Sequence, residues 1–600
     1  MFARSIDVEM NVKRLFSMAA SVCVSVAACA GDLCLDGLWS FRFEERKSLE
    51  EVARPDFEAT DTITVPSCYD TLPKWLNKRG TGLYRRTFIL ERPVENAWLV
   101  IEGMGLRGDF RIDGKPLGVH PYPYARLELE TGPLAAGEHE IFAALDNRFD
   151  YDKVPLVRPY YDFYCYGGFY QGVKLIFDNR RLFVRTRDYR TGSVEIEAVN
   201  FAESDFRGTL VFDGRNKVEA EFRNRRAKVS VPGFKLWSPD SPNLHTVALQ
   251  DGSTAVRSRF GIRTVEARGA RLWLNGKPLF LKGVNRHESH PVFGAATPDP
   301  VMLADIQNVK SLGANFIRGV HYQMCDRFLE LCDENGILVW EESLGWGNGQ
   351  PYTDGPRASR RNPPHDPLVN AEFFRQQVVQ TREMVRASFN HPSVILYAFM
   401  NELGSDRSEA RKLIEALCKA VRDEDSGRLV TFACNKPLVE ICGDLLDVFS
   451  FNAYPGWISV EHPGDPDNLR RLVAEDKNRG IDVVTRHVRA KYPDKPVLVS
   501  EIGCCGVYGH HDPSAGQWTE EFQAEYYGDV IDVVFANPGL CGVALWQYAD
   551  SKSYHRSWSV RVKPFAENLA GLYDGHRREK LAAKVIREGF SRKAAGESVE

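Results

Sequence analysis

The chain has no C-x-x-C pair, no His/Cys cluster at metal-ligand spacing, no Lys/Arg run and no long acidic block. It also lacks a Gly-rich phosphate loop, a low-complexity tract and a short-period repeat. Each absence removes a class of function. Without paired cysteines, a structural zinc site has no ligand set to draw on. Without a basic stripe, and with a formal charge of only -4 over 600 residues, there is no electrostatic footprint for nucleic acid. Without a Gly-rich turn, there is no cradle for a dinucleotide or triphosphate. The 13 cysteines are scattered. Cys325 and Cys332 sit in one helical pattern as small core residues, and the Cys504-Cys505 pair reads as shaping its surroundings, not as a redox centre.

What is present begins at the N-terminus. From Met10, an alternative start, Lys13 and Arg14 precede an apolar, small-residue run from Leu15 to Ala28. Residues 1–30 therefore read as a signal peptide, too short and wrongly flanked for a spanning helix. Ala28-Cys29-Ala30 before Gly31 fits a cleavage site. Val26-Ala27-Ala28-Cys29 also fits a bacterial lipobox, which would place a lipid anchor on Cys29. The expectation is an exported bacterial protein, periplasmic, extracellular or an outer-surface lipoprotein, with no transmembrane span.

The rest divides by rhythm. Residues 31–179 carry short alternating runs such as WSFRF, TFIL and AWLVIEGM, separated by turn signals such as Asp113-Gly114. That spacing predicts a jelly-roll β-sandwich. Residues 180–266 repeat the style on a smaller scale and predict an immunoglobulin-like β-sandwich. From 267 to 600, apolar strands alternate with longer helical patterns, which is the mark of a parallel sheet. Eight such strands over this length predict a (β/α)8 TIM barrel.

Seven of the eight strands end in polar residues. They include Asn285 to Glu288, Arg318 to Tyr322, Glu341-Glu342, Asn401-Glu402, Asn452 with Tyr454, Glu501, and Trp546 to Asp550. A barrel opens all these ends on one face, where such folds keep their active sites. A single charged tip is often a satisfied structural partner; seven converging tips call for a polar ligand. Two of them, Glu402 and Glu501, are carboxylates that close short apolar, β-branched runs, VILYAFMNE and KPVLVSE. Paired carboxylates with abundant hydrogen-bonding groups and a tryptophan suit a sugar, and retaining glycosidases use two carboxyls about 5 Å apart. His287 and His321 fit substrate contact by position, and Trp546 fits a stacking platform. For Arg318 two readings stand level, a partner of the substrate-side carboxylate and a structural salt bridge to Glu342.

The blocks GVNRHE, NFIRGVHY, NHPSVILYAFMNE and VLVSEIG, in this order, resemble glycoside hydrolase family 2, the family of β-galactosidases, β-glucuronidases and β-mannosidases. The resemblance spans almost everything after the signal. It implies Glu402 as general acid/base and Glu501 as nucleophile, with Asn401 on the hydroxyl beside the anomeric carbon. It implies that Tyr454 and Arg318 keep Glu501 ionised. No organic cofactor is implied and none is required; a divalent metal has no convincing ligand set beyond isolated acids such as Glu288 and Glu342. The family also forms homo-oligomers.

The blocks FNAYPGW and LWQYAD resemble the β-glucuronidase branch, and YYDFYCYGG resembles the segment whose aspartate, here Asp162, enters the active site. That branch pairs the substrate carboxylate with the lysine of an N-x-K motif. Here Asn568 remains as a substrate-binding candidate, but Ala570 stands in the lysine's place, Pro564 in that of an upstream arginine, and Ile458 in that of a tyrosine. An unpaired buried carboxylate costs several kcal/mol. The expectation is therefore an exo-β-galactosidase, with β-glucuronidase as the alternative through Arg561 or Lys563. A non-catalytic carbohydrate-binding protein is the reading from another class, and a transglycosylase would use the same covalent intermediate. The partner expected is an oligosaccharide or glycoside.

Overall fold

The computed structural model describes residues 32–148, 163–251, 254–346, 366–457, 466–554 and 563–597. The expected signal over 1–30 with Cys29, as well as Asp162, Ile458 and Arg561, lies outside the described residues.

Two antiparallel sheets form the first sandwich. One has six strands in the order Asp61–Val65, Gly37–Glu44, Thr81–Leu90, Gly137–Asp146, Arg107–Ile112 and Lys115–His120. The other has four: Leu33–Cys34, Val173–Ile176, Trp98–Ile101 and Leu127–Glu130. Inward-facing Trp39, Phe41, Tyr84, Leu99, Ile101 and Phe110 fill the space between them. The second sandwich packs a three-stranded sheet (Arg181–Asp188, Ser193–Val199, Arg226–Ser230) on a four-stranded one (Asn216–Phe222, Phe206–Phe212, His245–Asp251, Thr254–Phe260). Period-two alternation on these strands gives each sheet one apolar face, and burying that face drives the pairing.

A small sheet, Val265–Arg268 with Arg271–Leu274 and Lys277–Leu279, leads into the barrel. Its Leu272 and Leu274 join Leu281, Phe316, Leu338, Leu396, Leu498 and Ala544 in one apolar cluster. The barrel strands are Leu281–Arg286, Phe316–Gly319, Leu338–Trp346, Val394–Asn401, a broken fifth, Phe449–Asn452, Val497–Glu501 and Gly542–Leu545. The fifth is interrupted at Phe432: Leu429–Thr431 pairs with the fourth strand and Ala433–Cys434 with the sixth. The first strand pairs in parallel with both the second and the eighth. Every residue of Val394–Asn401 is buried, as a strand covered on both faces requires.

Helices Asp299–Ser311, Asp326–Asn335, Ala371–Ala387, Ser408–Glu424, Glu520–Ala536 and Leu581–Phe590 follow the expected helical patterns. Two more, Pro466–Glu475 and Ile481–Lys491, lie between the sixth and seventh strands. Among the described residues, no helix is long and apolar enough to cross a membrane.

Candidate active site

Glu501 ends the seventh strand with both carboxylate oxygens held. Arg318 Nη1 donates to Oε1 at 2.6 Å and the Tyr454 hydroxyl donates to Oε2 at 2.7 Å. Burial pushes this carboxyl up to about 7; Arg318 pulls it down, the nearby Glu402 pushes it up, and Tyr454 pulls it down. The repulsion from Glu402 places the two carboxyls within electrostatic reach of each other across the mouth.

Arg318 is wholly enclosed at the end of the second strand. Its Nη2 donates to Glu342 Oε2 at 2.8 Å and to Asn401 Oδ1 at 2.9 Å, and its Nη1 also reaches Asn285 Oδ1 at 3.2 Å. The two readings of this residue are thus both present in one side chain. As a sugar contact it has no exposed donor, so it acts by positioning Glu501 and Asn401.

Asn401 spends its carbonyl on Arg318 and on Asn452 Nδ2 at 3.1 Å. Its Nδ2 is buried and has no hydrogen-bond partner among the described residues. A buried amide donor without a partner is uncommon. Glu402 follows directly with φ 55°, in the left-handed region. A non-glycine residue there costs on the order of 1–2 kcal/mol and is found where a site over-determines the backbone. Its main-chain N–H donates to Ala433 O at 2.9 Å. Asn452 Nδ2 donates to its Oε1 at 3.0 Å and Asn435 Nδ2 to its Oε2 at 3.4 Å.

The eighth strand runs into Trp546, whose ring stacks on His321 (centroids 5.5 Å, 13°) and meets His287 edge-on at 5.4 Å. Burial holds both imidazoles well below the ordinary histidine range, so both are neutral. A neutral His321 donates Nδ1–H to Glu342 Oε1 at 3.1 Å. His287 Nε2 has no partner among the described residues. Asn568 is buried and its Oδ1 accepts the Trp546 indole N–H at 3.3 Å, so it orients that ring. Trp546 packs in one apolar cluster with Val320, Cys505 and Ala570, against Tyr454, Trp457 and Trp518. Cys505 is thus part of the wall.

Asn435 and Phe163 went unread in the sequence, whereas Tyr322 stood among the strand tips and Lys563 among the candidate cations. Asn435 supplies the polar tip that the fifth strand was missing. Phe163, from the first sandwich, packs on His287 at 5.2 Å and His321 at 5.8 Å. Tyr322 bonds His287 Nδ1 at 3.3 Å and is stacked on Tyr124 of the first sandwich at 3.8 Å. Lys563 is only 6% exposed, and its Nζ lies 5.1 Å from the centre of the Trp457 ring. Trp457 in turn meets Tyr454 edge-on at 4.8 Å. Among the described residues, no three His, Cys, Asp or Glu side chains converge to hold a metal ion. Glu342 is engaged by Arg318, His321 and Trp340, and Glu288 by Arg286.

Residues 265–593 match the model of the glycosyl hydrolases family 2, TIM barrel domain. Relatives include a β-glucuronidase of Streptococcus agalactiae, 25% identical over 92% of this chain and 95% of its own length. The β-glucuronidase of Homo sapiens is 26% identical over 93% of this chain and 90% of its own length. Among solved structures, a β-galacturonidase from Eisenbergiella tayi bound to galacturonate superposes with a TM-score of 0.78 at 27% identity. That match covers 95% of this chain and 99% of the other.

Proposed function

The chain belongs to glycoside hydrolase family 2, and from that membership we propose that it is a retaining exo-β-hexuronidase, acting first on terminal β-glucuronides. The observation that carries the chemistry is Glu501, gripped on both oxygens by Arg318 and Tyr454 and facing Glu402. In the first step Glu501 attacks the anomeric carbon while Glu402 gives its proton to the departing oxygen. In the second, Glu402 takes a proton from water, the water oxygen bonds the anomeric carbon, and Glu501 leaves as carboxylate. Asn401 Nδ2 donates to the neighbouring sugar hydroxyl, a bond that tightens as charge develops at the anomeric centre.

The sugar is argued from two sides. The relatives favour the glucuronidase alternative over the galactosidase expected from Ala570. Ala570 is indeed fully buried among apolar groups and offers no cation. Lys563, however, brings a buried ammonium to Trp457, next to the tyrosine that holds the nucleophile. It is the residue we assign to the substrate carboxylate, reached by a different path through the loop after the eighth strand. The galacturonidase likeness adds β-galacturonide as the second hexuronate to try, since the two sugars differ only at the fourth hydroxyl.

The test is turnover of nitrophenyl β-glucuronide, β-galacturonide, β-galactoside and β-mannoside by the wild type and by Lys563→Met. A hexuronide should be preferred. Its kcat/KM should fall by roughly two orders of magnitude in the variant, the cost of leaving a buried carboxylate unpaired. Preference for the galactoside, unchanged in Lys563→Met, would restore the first expectation. Sugar binding without turnover of any substrate would point to the non-catalytic reading.

A further inference from the structure

Two asparagines hold the carboxyl of Glu402, and only one of them is fixed. Asn452 Oδ1 accepts from Ser500 Oγ at 2.7 Å, while its Nδ2 donates to Asn401 Oδ1 at 3.1 Å and Glu402 Oε1 at 3.0 Å. Reversing that amide would set carbonyl against carbonyl at Asn401 and break the bond from Ser500. Asn435 is different. Its Nδ2 donates to Glu402 Oε2 at 3.4 Å, and its Oδ1 is buried with no hydrogen-bond partner among the described residues. A buried amide oxygen without a donor is uncommon. A half-turn of this amide exchanges a donor for an acceptor at the same place. The fifth strand already grips Glu402 by its main chain through Ala433 O, so the Asn435 amide stays beside the carboxyl in either orientation.

We propose that Asn435 is a positioning residue whose amide turns with the protonation state of Glu402. The inference rests on the retaining-glycosidase reading, in which Glu402 is an acid in one step and a carboxylate in the next. Asn452 donates to Oε1 in both states, so the proton belongs on Oε2, the oxygen facing Asn435. When Glu402 is an acid, Asn435 Oδ1 accepts from Oε2–H until the glycosidic oxygen takes the proton. When Glu402 is a carboxylate, Asn435 Nδ2 donates to Oε2 until water returns a proton there. A fixed donor at this position would favour the ionised form, depress the pKa and leave less of the acid form in place for the first step. A turning amide serves both halves of the cycle, and the orphaned Oδ1 is the acceptor waiting for the protonated half.

The experiment is a pH–rate profile of the full-length enzyme on its best glycoside, with good and poor leaving groups, for wild type, Asn435→Leu, Asn435→Asp and Asn435→Ser. Leucine removes donor and acceptor together. It should slow the acid-dependent step on poor leaving groups and the base-dependent step on activated ones by a similar factor, about tenfold, with the basic limb unmoved. Aspartate can only accept and carries charge, so it should move the basic limb upward by at least about one pH unit. Serine both donates and accepts, and should recover part of both steps. If the basic limb of Asn435→Leu rises while only one step slows, Asn435 is a fixed donor and the proposal fails. An unmoved limb in Asn435→Asp, or a serine variant no better than leucine, also overturns it. An inactive wild type would remove the glycosidase reading itself and this proposal with it.

Discussion

Glu501 has to be ionised before it can attack, and its surroundings set the pH at which that happens. Burial and Glu402 push its carboxyl up to about 7, against the pull of Arg318 and Tyr454. The protonated form is inactive, so kcat/KM of the free enzyme should fall about tenfold per pH unit below that value. The Tyr454 hydroxyl bonds the ionised form more strongly than the neutral acid. Tyr454→Phe should therefore move the acidic limb upward, by on the order of one pH unit, the worth of one hydrogen bond to a charged group. A limb that stays in place or moves downward in this variant would contradict the assignment. At this scale the sequence was most readable where a carboxylate closes an apolar run, as in Glu402 and Glu501. It was least readable where a role depends on what another residue has already taken. Arg318 stands at a strand tip like a ligand, yet Glu342, Glu501, Asn401 and Asn285 occupy its donors.

The block NHPSVILYAFMNE behaves as one element with two functions. Its first residues are structural. Asn390 Oδ1 accepts from Val184 N at 2.9 Å, and its Nδ2 donates to Leu182 O at 2.7 Å, tying the barrel to the second sandwich. His391 bridges Asp333 at 2.6 Å and Asp326 at 3.0 Å, both on one helix. Burial works against its charge, but the two aspartates win and raise its pKa to about 10. A histidine raised from its unfolded 6.5 gives stability that is complete below pH 6.5 and is lost as pH climbs through 10. Thermal unfolding should show that decline, and His391→Gln should flatten it while costing roughly 3–5 kcal/mol at pH 6, as broken buried pairs do. A parallel decline in wild type and variant would sink this account. Elsewhere the element pattern was legible for the strands, whose runs are continuous and buried. It missed Pro466–Glu475 and Ile481–Lys491, although the second buries an apolar face through Ile481, Val484 and Val488; the two form an extra pair between neighbouring strands, which the one-helix-per-strand rhythm of a barrel does not call for. It also missed Asn435, because the fifth strand breaks at Phe432 and its polar tip falls beyond Cys434.

Over the whole molecule, the site is not the barrel's alone. Phe163 packs on both strand-end histidines, Tyr124 stacks on Tyr322, and the Tyr166 hydroxyl meets Ser289 Oγ at 3.1 Å. The first sandwich thus packs directly on the strand-end residues of the barrel, a relation between distant segments that no local periodicity encodes. The division into β-rich leading domains and a terminal barrel was legible because the hydrophobic period itself changes near residue 272. The sugar was not, because the substrate carboxylate is assigned to a lysine whose place near Trp457 depends on the path of a loop. The central claim, a covalent hexuronyl intermediate on Glu501, can be tested in one measurement. The enzyme is incubated with an activated 2-deoxy-2-fluoro-β-glucuronide and, separately, its galactoside counterpart, then digested for peptide mass mapping. The account predicts one fluoro-hexuronyl group on the peptide bearing Glu501, with activity lost in step. A label on another carboxylate, or one left by the galactosyl reagent alone, would contradict it.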